Sequence, residues 1–112
     1  MKRKIQFYKH YFLDFYLSLE DKDQEKVEYV FDIVRHLQLI PKKFLKHIEG
    51  TDGLFEIRVS SGQNEFRIFC FFDSGMLVIL LDGFKKKTQK TPGKEIDRAL
   101  KLMKNYYIEK IK

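Results

Sequence analysis

The chain has 112 residues, of which 44% are hydrophobic and 34% charged, a composition that excludes an intrinsically disordered protein. Its one cysteine, Cys70, excludes an intrachain disulfide and a cysteine-based zinc site, and no apolar run approaches the ~20 residues of a membrane span. We therefore expect a single soluble domain over residues 1–112 in a reducing cytoplasm, because the basic start lacks the apolar stretch of a secretory signal.

The first part of the chain predicts one strand followed by two helices. Polar and apolar residues alternate over 5–8, which indicates a short strand. Apolar residues recur at helical spacing over 11–19 and again over 23–38, so a helix is expected in each stretch. Asp21 or Asp23 is expected to cap the second helix, because a carboxylate accepts hydrogen bonds from the free N–H groups of a first turn.

The middle of the chain changes in character after a connector. Residues 39–53 contain a basic patch at 42–47 and then turn-forming residues. The stretches 54–59, 65–72 and 76–81 are rich in β-branched and aromatic residues and are separated by short glycine-containing segments. This pattern predicts three strands that form an antiparallel meander.

A final helix is expected to begin at the pair Thr91 and Pro92, with Thr91 as its N-cap and Pro92 at its first position. Its buried stripe is expected to consist of Ile96, Ala99, Leu100, Met103 and Tyr107. The predicted fold class is therefore α+β, with the element order β-α-α-β-β-β-α and all three predicted meander strands between the second and third helices.

The positive charge of the chain is concentrated in its last thirty residues. Residues 83–112 contain ten lysines and arginines against three acids, whereas residues 1–82 contain twelve basic and thirteen acidic residues. A concentrated positive field attracts polyanions, so nucleic acid is one predicted partner. A solvated surface helix and an acidic protein partner remain alternatives at this point.

Two arginines interrupt the predicted apolar strands. If Ser60 pairs with Glu65 across the intervening turn, Arg58 lies opposite Arg67 on one sheet face. Like charges in that position repel, and an anion bound between the arginines would relieve the repulsion. The alternative is local neutralisation by Glu56 and Glu65, which share the face.

The segment 83–92 carries a lysine triplet between the end of a strand and a helix N-terminus. Ammonium groups, free backbone N–H groups and the helix dipole all favour a phosphate there, although a lysine-rich loop is often only a solvated turn. The three histidines lack metal-ligand spacing, so neither metal nor cofactor is expected. His47 follows the basic patch and is a candidate phosphate contact, and Cys70 is expected to be an inert core residue.

Taken in order, four stretches carry a resemblance that covers about residues 5–107. They are Lys46-His47-Ile48-Glu49-Gly50, Leu54-Phe55-Glu56-Ile57-Arg58, Phe66-Arg67-Ile68-Phe69, and Gly83-Phe84-Lys85-Lys86-Lys87-Thr88-Gln89-Lys90-Thr91-Pro92. With the element order, they resemble the RelE/ParE superfamily, and within it the HigB-like, phage-derived subgroup of type II toxin–antitoxin systems. The resemblance implies a small sheet with packed helices and a basic concave site.

The same resemblance implies a ribosome-dependent mRNA endoribonuclease that inhibits translation and needs no metal. In such enzymes the 2′-hydroxyl attacks the neighbouring phosphate and gives a 2′,3′-cyclic phosphate and a 5′-hydroxyl. The residues that match the catalytic positions are Arg58, Arg67 and Lys86. The expected RNA-binding residues are Lys46, His47, Lys85, Lys87 and Lys90.

The proton acceptor and donor stay open at this level. Asp82 stands where this subgroup often has a histidine, and the candidates are Tyr106, Tyr107, His47 or a lysine of the triplet whose pKa is lowered by its neighbours.

The resemblance also implies a partner, a cognate helix-turn-helix antitoxin that covers the basic face, sets the oligomeric state and represses the operon jointly with the toxin. ParE-like relatives lack a nuclease site and inhibit DNA gyrase instead, so a non-nuclease inhibitor is one alternative function. A non-enzymatic basic binding module is the other.

Overall fold

A computed structural model describes residues 2–111 of the chain. Three helices and five strands follow one another as β1 (Lys4–Phe7), α1 (Tyr11–Leu17), α2 (Asp21–His36), β2 (Leu45–His47), β3 (Phe55–Ser61), β4 (Asn64–Asp73), β5 (Leu77–Lys85) and α3 (Gly93–Lys110). The predicted α+β class is confirmed, as are its three helices. None of the helices in this part of the chain is long and apolar enough to cross a membrane.

All five strands form one mixed sheet in the order β1-β5-β4-β3-β2. Strands β3, β4 and β5 form the predicted antiparallel meander, and β1 pairs with β5 in parallel. The edge strand β2 was not predicted: its three residues are too few for a periodic pattern, and it is held by pairing with residues 55–57 of β3. Ser60 pairs with Glu65, so the condition under which Arg58 lies opposite Arg67 is met.

The two faces of the sheet are covered by different helices, because successive strand residues point to opposite faces. On one face, α1 and α2 pack a core that includes Phe12, Phe31, Ile57 and Ile68. On the other face, α3 packs over a second core that includes Leu54, Phe69, Phe71, Ile79 and Ala99. Cys70 is fully buried in the first core, in agreement with its predicted structural role.

The predicted N-caps are wrong at both long helices. Helix α2 begins at Asp21 after Glu20, and the carboxylate of Asp23 instead accepts hydrogen bonds from Ser61 Oγ (2.6 Å) and Asn64 Nδ2 (3.3 Å). Helix α3 begins at Gly93, and Thr91 gives its hydroxyl hydrogen bond to a buried glutamate. In both places the side chain forms a hydrogen bond that satisfies a buried carboxylate. The N–H groups at the helix end are left to water, which can satisfy them at the surface.

The C-terminal half of α3 is fastened to one end of the sheet. Asp73, at the end of β4, accepts hydrogen bonds from the Tyr106 hydroxyl (2.6 Å) and from Lys110 Nζ (2.7 Å). Tyr8 adds a hydrogen bond to Glu109 (2.9 Å) from the end of β1. The helix therefore covers one end of this face and leaves the other end to the loop of residues 86–92.

We predict that Gly83→Ala destabilises the fold by about 1–3 kcal/mol, the typical cost of overpacking a core. Gly83 lies in β5 opposite Ile68, and an added Cβ would lie 2.5 Å from Cδ2 of the Phe15 ring. Urea unfolding measures the effect. The control is Gly93→Ala, where the added Cβ meets open space and alanine favours the helix, so stability should stay equal or rise. Equal stability of the two variants would contradict this packing.

Asp73 gives a pH-dependent prediction. The hydrogen bonds from Lys110 and then Tyr106 lower the pKa of Asp73 below its ordinary value. Because the folded-state pKa lies below the unfolded one, the stabilisation is complete above the ordinary pKa of ~4 and is lost as pH falls through the folded value. The difference in Tm between the wild type and Asp73→Asn should be largest near neutral pH and should shrink as the solution becomes acidic. A gap that stays constant into acid would refute this linkage.

Candidate functional site

The centre of the site is a pair of arginines on neighbouring strands. Arg58 of β3 and Arg67 of β4 are direct partners in the observed register, as predicted, and both lie on the sheet face that carries α3. Glu56 precedes Arg58 by two residues and shares its face. Its Oε2 atom lies 3.2 Å from Arg58 Nε and 3.6 Å from Arg67 Nε. One carboxylate therefore bridges two guanidinium groups that would otherwise repel each other.

The carboxylates on this face are themselves fixed. Glu56 is almost fully buried, and its Oε1 accepts a hydrogen bond from Thr91 Oγ1 (2.8 Å) in the loop before α3. Glu65 lies 3.3 Å from Arg67 Nη1 and accepts a hydrogen bond from Ser60 (2.6 Å). The hydrogen bond from Ser60, together with Arg67, lowers the pKa of Glu65. Glu56 and Glu65 therefore neutralise the two arginines, which is the alternative that the sequence left open. The same contacts hold the guanidinium groups in position.

The guanidinium groups keep donor capacity that the protein does not use. Neither Nε–H is aimed at Glu56 despite the short distances, so among the described residues both Nε atoms are buried without a hydrogen-bond acceptor. Nη1 of Arg58 reaches Lys42 O only at 3.5 Å. Buried donors of this kind are rare in folded proteins, because a buried N–H group without an acceptor costs free energy.

The arginines open onto two hollows that share Lys86 and Gln89. We call the first, of about 310 Å³, the catalytic hollow, after the role that we propose for it below. Its charged lining residues are Lys46, Arg58, Lys86, Lys90, Glu49 and Glu56. The second lies on the Arg67 side, has a volume of about 570 Å³, and includes Lys87 and Glu65. Cations outnumber carboxylates in both, so an anionic ligand is favoured.

Lys86 follows the last residue of β5 and lies between the two hollows. Its backbone N–H donates to the carbonyl of Glu65 (2.7 Å), which continues the β4–β5 pairing one residue beyond Lys85. Partial burial, and then the charges of Arg67 and Arg58, lower the pKa of the Lys86 ammonium, while Glu56 opposes the shift. Lys86 therefore loses its proton more readily than a free lysine does.

The structure brings together most of the predicted site residues. Arg58, Lys46, Lys86 and Lys90 line the catalytic hollow, and Arg67 and Lys87 line the second. Lys46 reaches the site because β2 pairs it with Glu56.

Two predicted RNA-binding residues are placed differently. Lys85 is the strand partner of Phe66, whose side chain packs in the core under α1 and α2, so it belongs to the opposite sheet face. His47 borders the catalytic hollow, but its ring packs against Phe55 (5.3 Å between centroids) and its Nε2 lies 3.0 Å from Thr51 O.

Both tyrosine candidates for proton transfer lie at the other end of the sheet. Tyr106 binds Asp73, six residues beyond Arg67 along β4, which corresponds to ~20 Å of extended strand. Burial and the hydrogen bond to Asp73 raise the pKa of Tyr106 to about 12. Tyr107 packs its ring against Phe71. Of the other candidates, His47 borders the catalytic hollow and Lys87 lines the second, whereas Lys86 is the candidate that lines both.

Three site residues were not recognised from the sequence. Thr91 was assigned to a helix cap, and Gln89 and Glu49 were given no role, yet all three line the catalytic hollow. The pairing of β2 with β3 forms one wall of the catalytic hollow. Strand β2 has three residues, which are too few to show a pattern in the sequence. Within residues 2–111, no group of three or more His, Cys, Asp or Glu side chains is arranged to hold a metal ion.

Comparison with known proteins identifies the family. The profile described as Phage derived protein Gp49-like (DUF891) matches residues 14–104. The chain belongs to this family. It is a RelE/HigB-like toxin family, so the resemblance to the RelE superfamily is confirmed.

The fold comparison agrees with the family. A chain from the crystal structure of the archaeal RelE–RelB complex from Pyrococcus horikoshii OT3 matches with a TM-score of 0.56 and 18% sequence identity. The match covers 81% of this Gp49-like protein and 100% of that chain. It shows that the two share the RelE fold. A search of curated proteins found no match.

We predict that Glu56→Ala lowers the free energy of unfolding by about 3–5 kcal/mol, the usual cost of removing one partner from a buried ion pair. The substitution leaves Arg67, which is only 6% exposed, without its central counter-charge. Urea unfolding is the measurement. Glu49→Ala removes an exposed carboxylate from the same hollow and should change stability by less than about 0.5 kcal/mol. Similar losses in both variants would show that Glu56 does not hold the arginines.

Proposed function

We propose that this Gp49-like protein is the toxin of a type II toxin–antitoxin pair and a metal-independent endoribonuclease that cuts mRNA on the ribosome in the cytoplasm. The observation that carries the proposal is the convergence of Arg58, Arg67 and Lys86 at two adjoining, cation-rich hollows that share Lys86. The fold alone does not decide between nuclease and gyrase inhibitor, because function resides in the site. The paired arginines favour chemistry on a phosphate diester.

In the proposed reaction the 2′-hydroxyl oxygen attacks the adjacent phosphorus. The bond from phosphorus to the 5′-oxygen breaks, which leaves a 2′,3′-cyclic phosphate and a 5′-hydroxyl. Arg58 and Arg67 hold the non-bridging oxygens and stabilise the charge that develops on them in the transition state. Both side chains line the hollows, and a guanidinium group that faces an open hollow can donate charge-assisted hydrogen bonds to a phosphate.

Lys86 is the proposed proton acceptor for the 2′-hydroxyl. Its lowered pKa favours the neutral amine that this role requires, and its position between the hollows places it beside both arginines. In this proposal the leaving 5′-oxygen takes its proton from water, which enters through the open hollow.

The other lysines of the site bind the RNA backbone in this proposal. Lys46 and Lys90 contact phosphates along the catalytic hollow, and Lys87 contacts them along the second hollow. Lys85 and His47 are assigned to the periphery of the RNA path, since their side chains pair with residues of the opposite face.

The proposed protein partner is a cognate antitoxin of the helix-turn-helix type. The RelE–RelB complex matched in fold is a precedent for a toxin bound to its antitoxin. Here the antitoxin would cover the basic hollows, set the oligomeric state of the complex and repress the operon with the toxin.

The decisive prediction concerns Lys86. Lys86→Ala and Lys86→Arg should each lower the rate of mRNA cleavage by about 100-fold or more, because neither side chain accepts a proton near neutral pH. In the wild type the rate should rise with pH as Lys86 loses its proton, and this rise should disappear in Lys86→Arg. Mapping of mRNA 5′ ends after induction, together with cleavage rates on programmed ribosomes, provides the measurements.

Lys104→Ala, on the exposed face of α3, is the matched control and should retain full cleavage. Full activity of Lys86→Arg would assign Lys86 to charge neutralisation alone. Growth arrest with DNA damage and intact mRNA would refute the nuclease proposal in favour of a gyrase inhibitor.

A further inference from the structure

A third hollow lies on the far side of Arg58, and the proposed chemistry does not use it. We call it the edge hollow. It has a volume of about 220 Å³ and is lined by side chains that include Lys26, Tyr29, Lys43, Phe44 and Arg58. It lies beside the start of β2, where the Arg58 N–H donates to Phe44 O (2.8 Å) and where the connector, β3 and helix α2 meet.

Two aromatic rings and two lysines dominate this hollow. Tyr29 is 56% exposed on α2, and Lys26 Nζ lies 5.6 Å from the centre of its ring. Phe44 is half-buried in the connector, with Lys43 Nζ 5.5 Å from its ring centre. Aromatic rings accompanied by cations are the composition of a surface for single-stranded nucleic acid, since the rings stack on bases and the ammonium groups bind phosphates.

The size and position of the hollow narrow the choice of ligand. Its volume is below the ~300–1,000 Å³ of pockets for drug-sized molecules, which suits one ring system rather than a peptide segment. Arg58 lines both this hollow and the catalytic hollow. A ligand whose phosphate is held by Arg58 therefore has a neighbouring group within reach of Tyr29 and Phe44.

We infer that the edge hollow is a base-binding subsite, in which one unpaired base of the RNA strand packs against Tyr29 and Phe44 while its phosphate backbone passes Arg58. The inference rests on the proposed function for the identity of the strand. Stacking requires an unpaired base and tolerates any base type. The subsite accordingly selects an unpaired strand over a duplex and fixes that strand on the two arginines.

Short single-stranded RNAs that carry 2-aminopurine at successive positions test this inference. A 2′-O-methyl group at the scissile position prevents cleavage, so binding is measured alone. Fluorescence should be quenched at one position next to the scissile phosphate, because 2-aminopurine loses emission when it stacks. The double variant Tyr29→Leu/Phe44→Leu should restore emission at that position and weaken binding by about 5- to 100-fold.

Leucine preserves apolar packing at the half-buried position of Phe44. Circular dichroism of the double variant serves as the check that it is folded. Tyr107→Leu, which removes an exposed tyrosine at the other end of the molecule, should leave quenching and affinity unchanged. An abasic nucleotide at the quenched position should weaken binding to the wild type and leave binding to the double variant unaffected. Quenching that persists in the double variant would overturn the subsite. Quenching by the wild type without cleavage of mRNA on programmed ribosomes would overturn only the nuclease proposal.

Discussion

The site depends on one buried carboxylate. Arg58 and Arg67 face each other across two strands, an arrangement that like charges disfavour, and Glu56 holds both. Because Glu56 also binds Thr91, the same carboxylate fixes the loop that carries Lys86 and Lys90. Strand register and loop position are thereby coupled through a single side chain. The coupling explains how cations from three parts of the sequence are held together at one end of the sheet.

One face of the sheet serves two purposes because α3 covers only part of it. Toward Asp73 the face is apolar, and the helix is fastened there through Tyr106 and Lys110. Toward Arg67 the strand residues are charged, and a loop replaces the helix. The switch from apolar to charged residues within β4 therefore separates the part of the face that stabilises the fold from the part available to a ligand.

Much of the fold follows from local patterns. The helices were predicted because their apolar residues repeat at 3.6-residue spacing, and the meander because its turns are short and polar. The pairing of Arg58 with Arg67 depends on the register of the hairpin, and the sequence predicted it only on the condition that Ser60 pairs with Glu65, which the structure has. Periodicity does not report contacts between distant segments, however. Three features result from tertiary packing and not from local patterns. They are the β2 strand, the hydrogen bond from Thr91 to Glu56 and the position of Tyr106 at the far end of the sheet.

The parallel pairing of the first strand with β5 has a consequence for synthesis of the protein. Lys4 pairs with Leu77, so the amino-terminal strand has no position in the sheet until β5 exists. Lys86, Lys90 and Thr91, which complete the catalytic hollow, are translated later still. A nascent chain therefore cannot assemble this cation-rich surface until translation has passed Thr91, and premature termination before β5 leaves both the sheet and that surface unfinished.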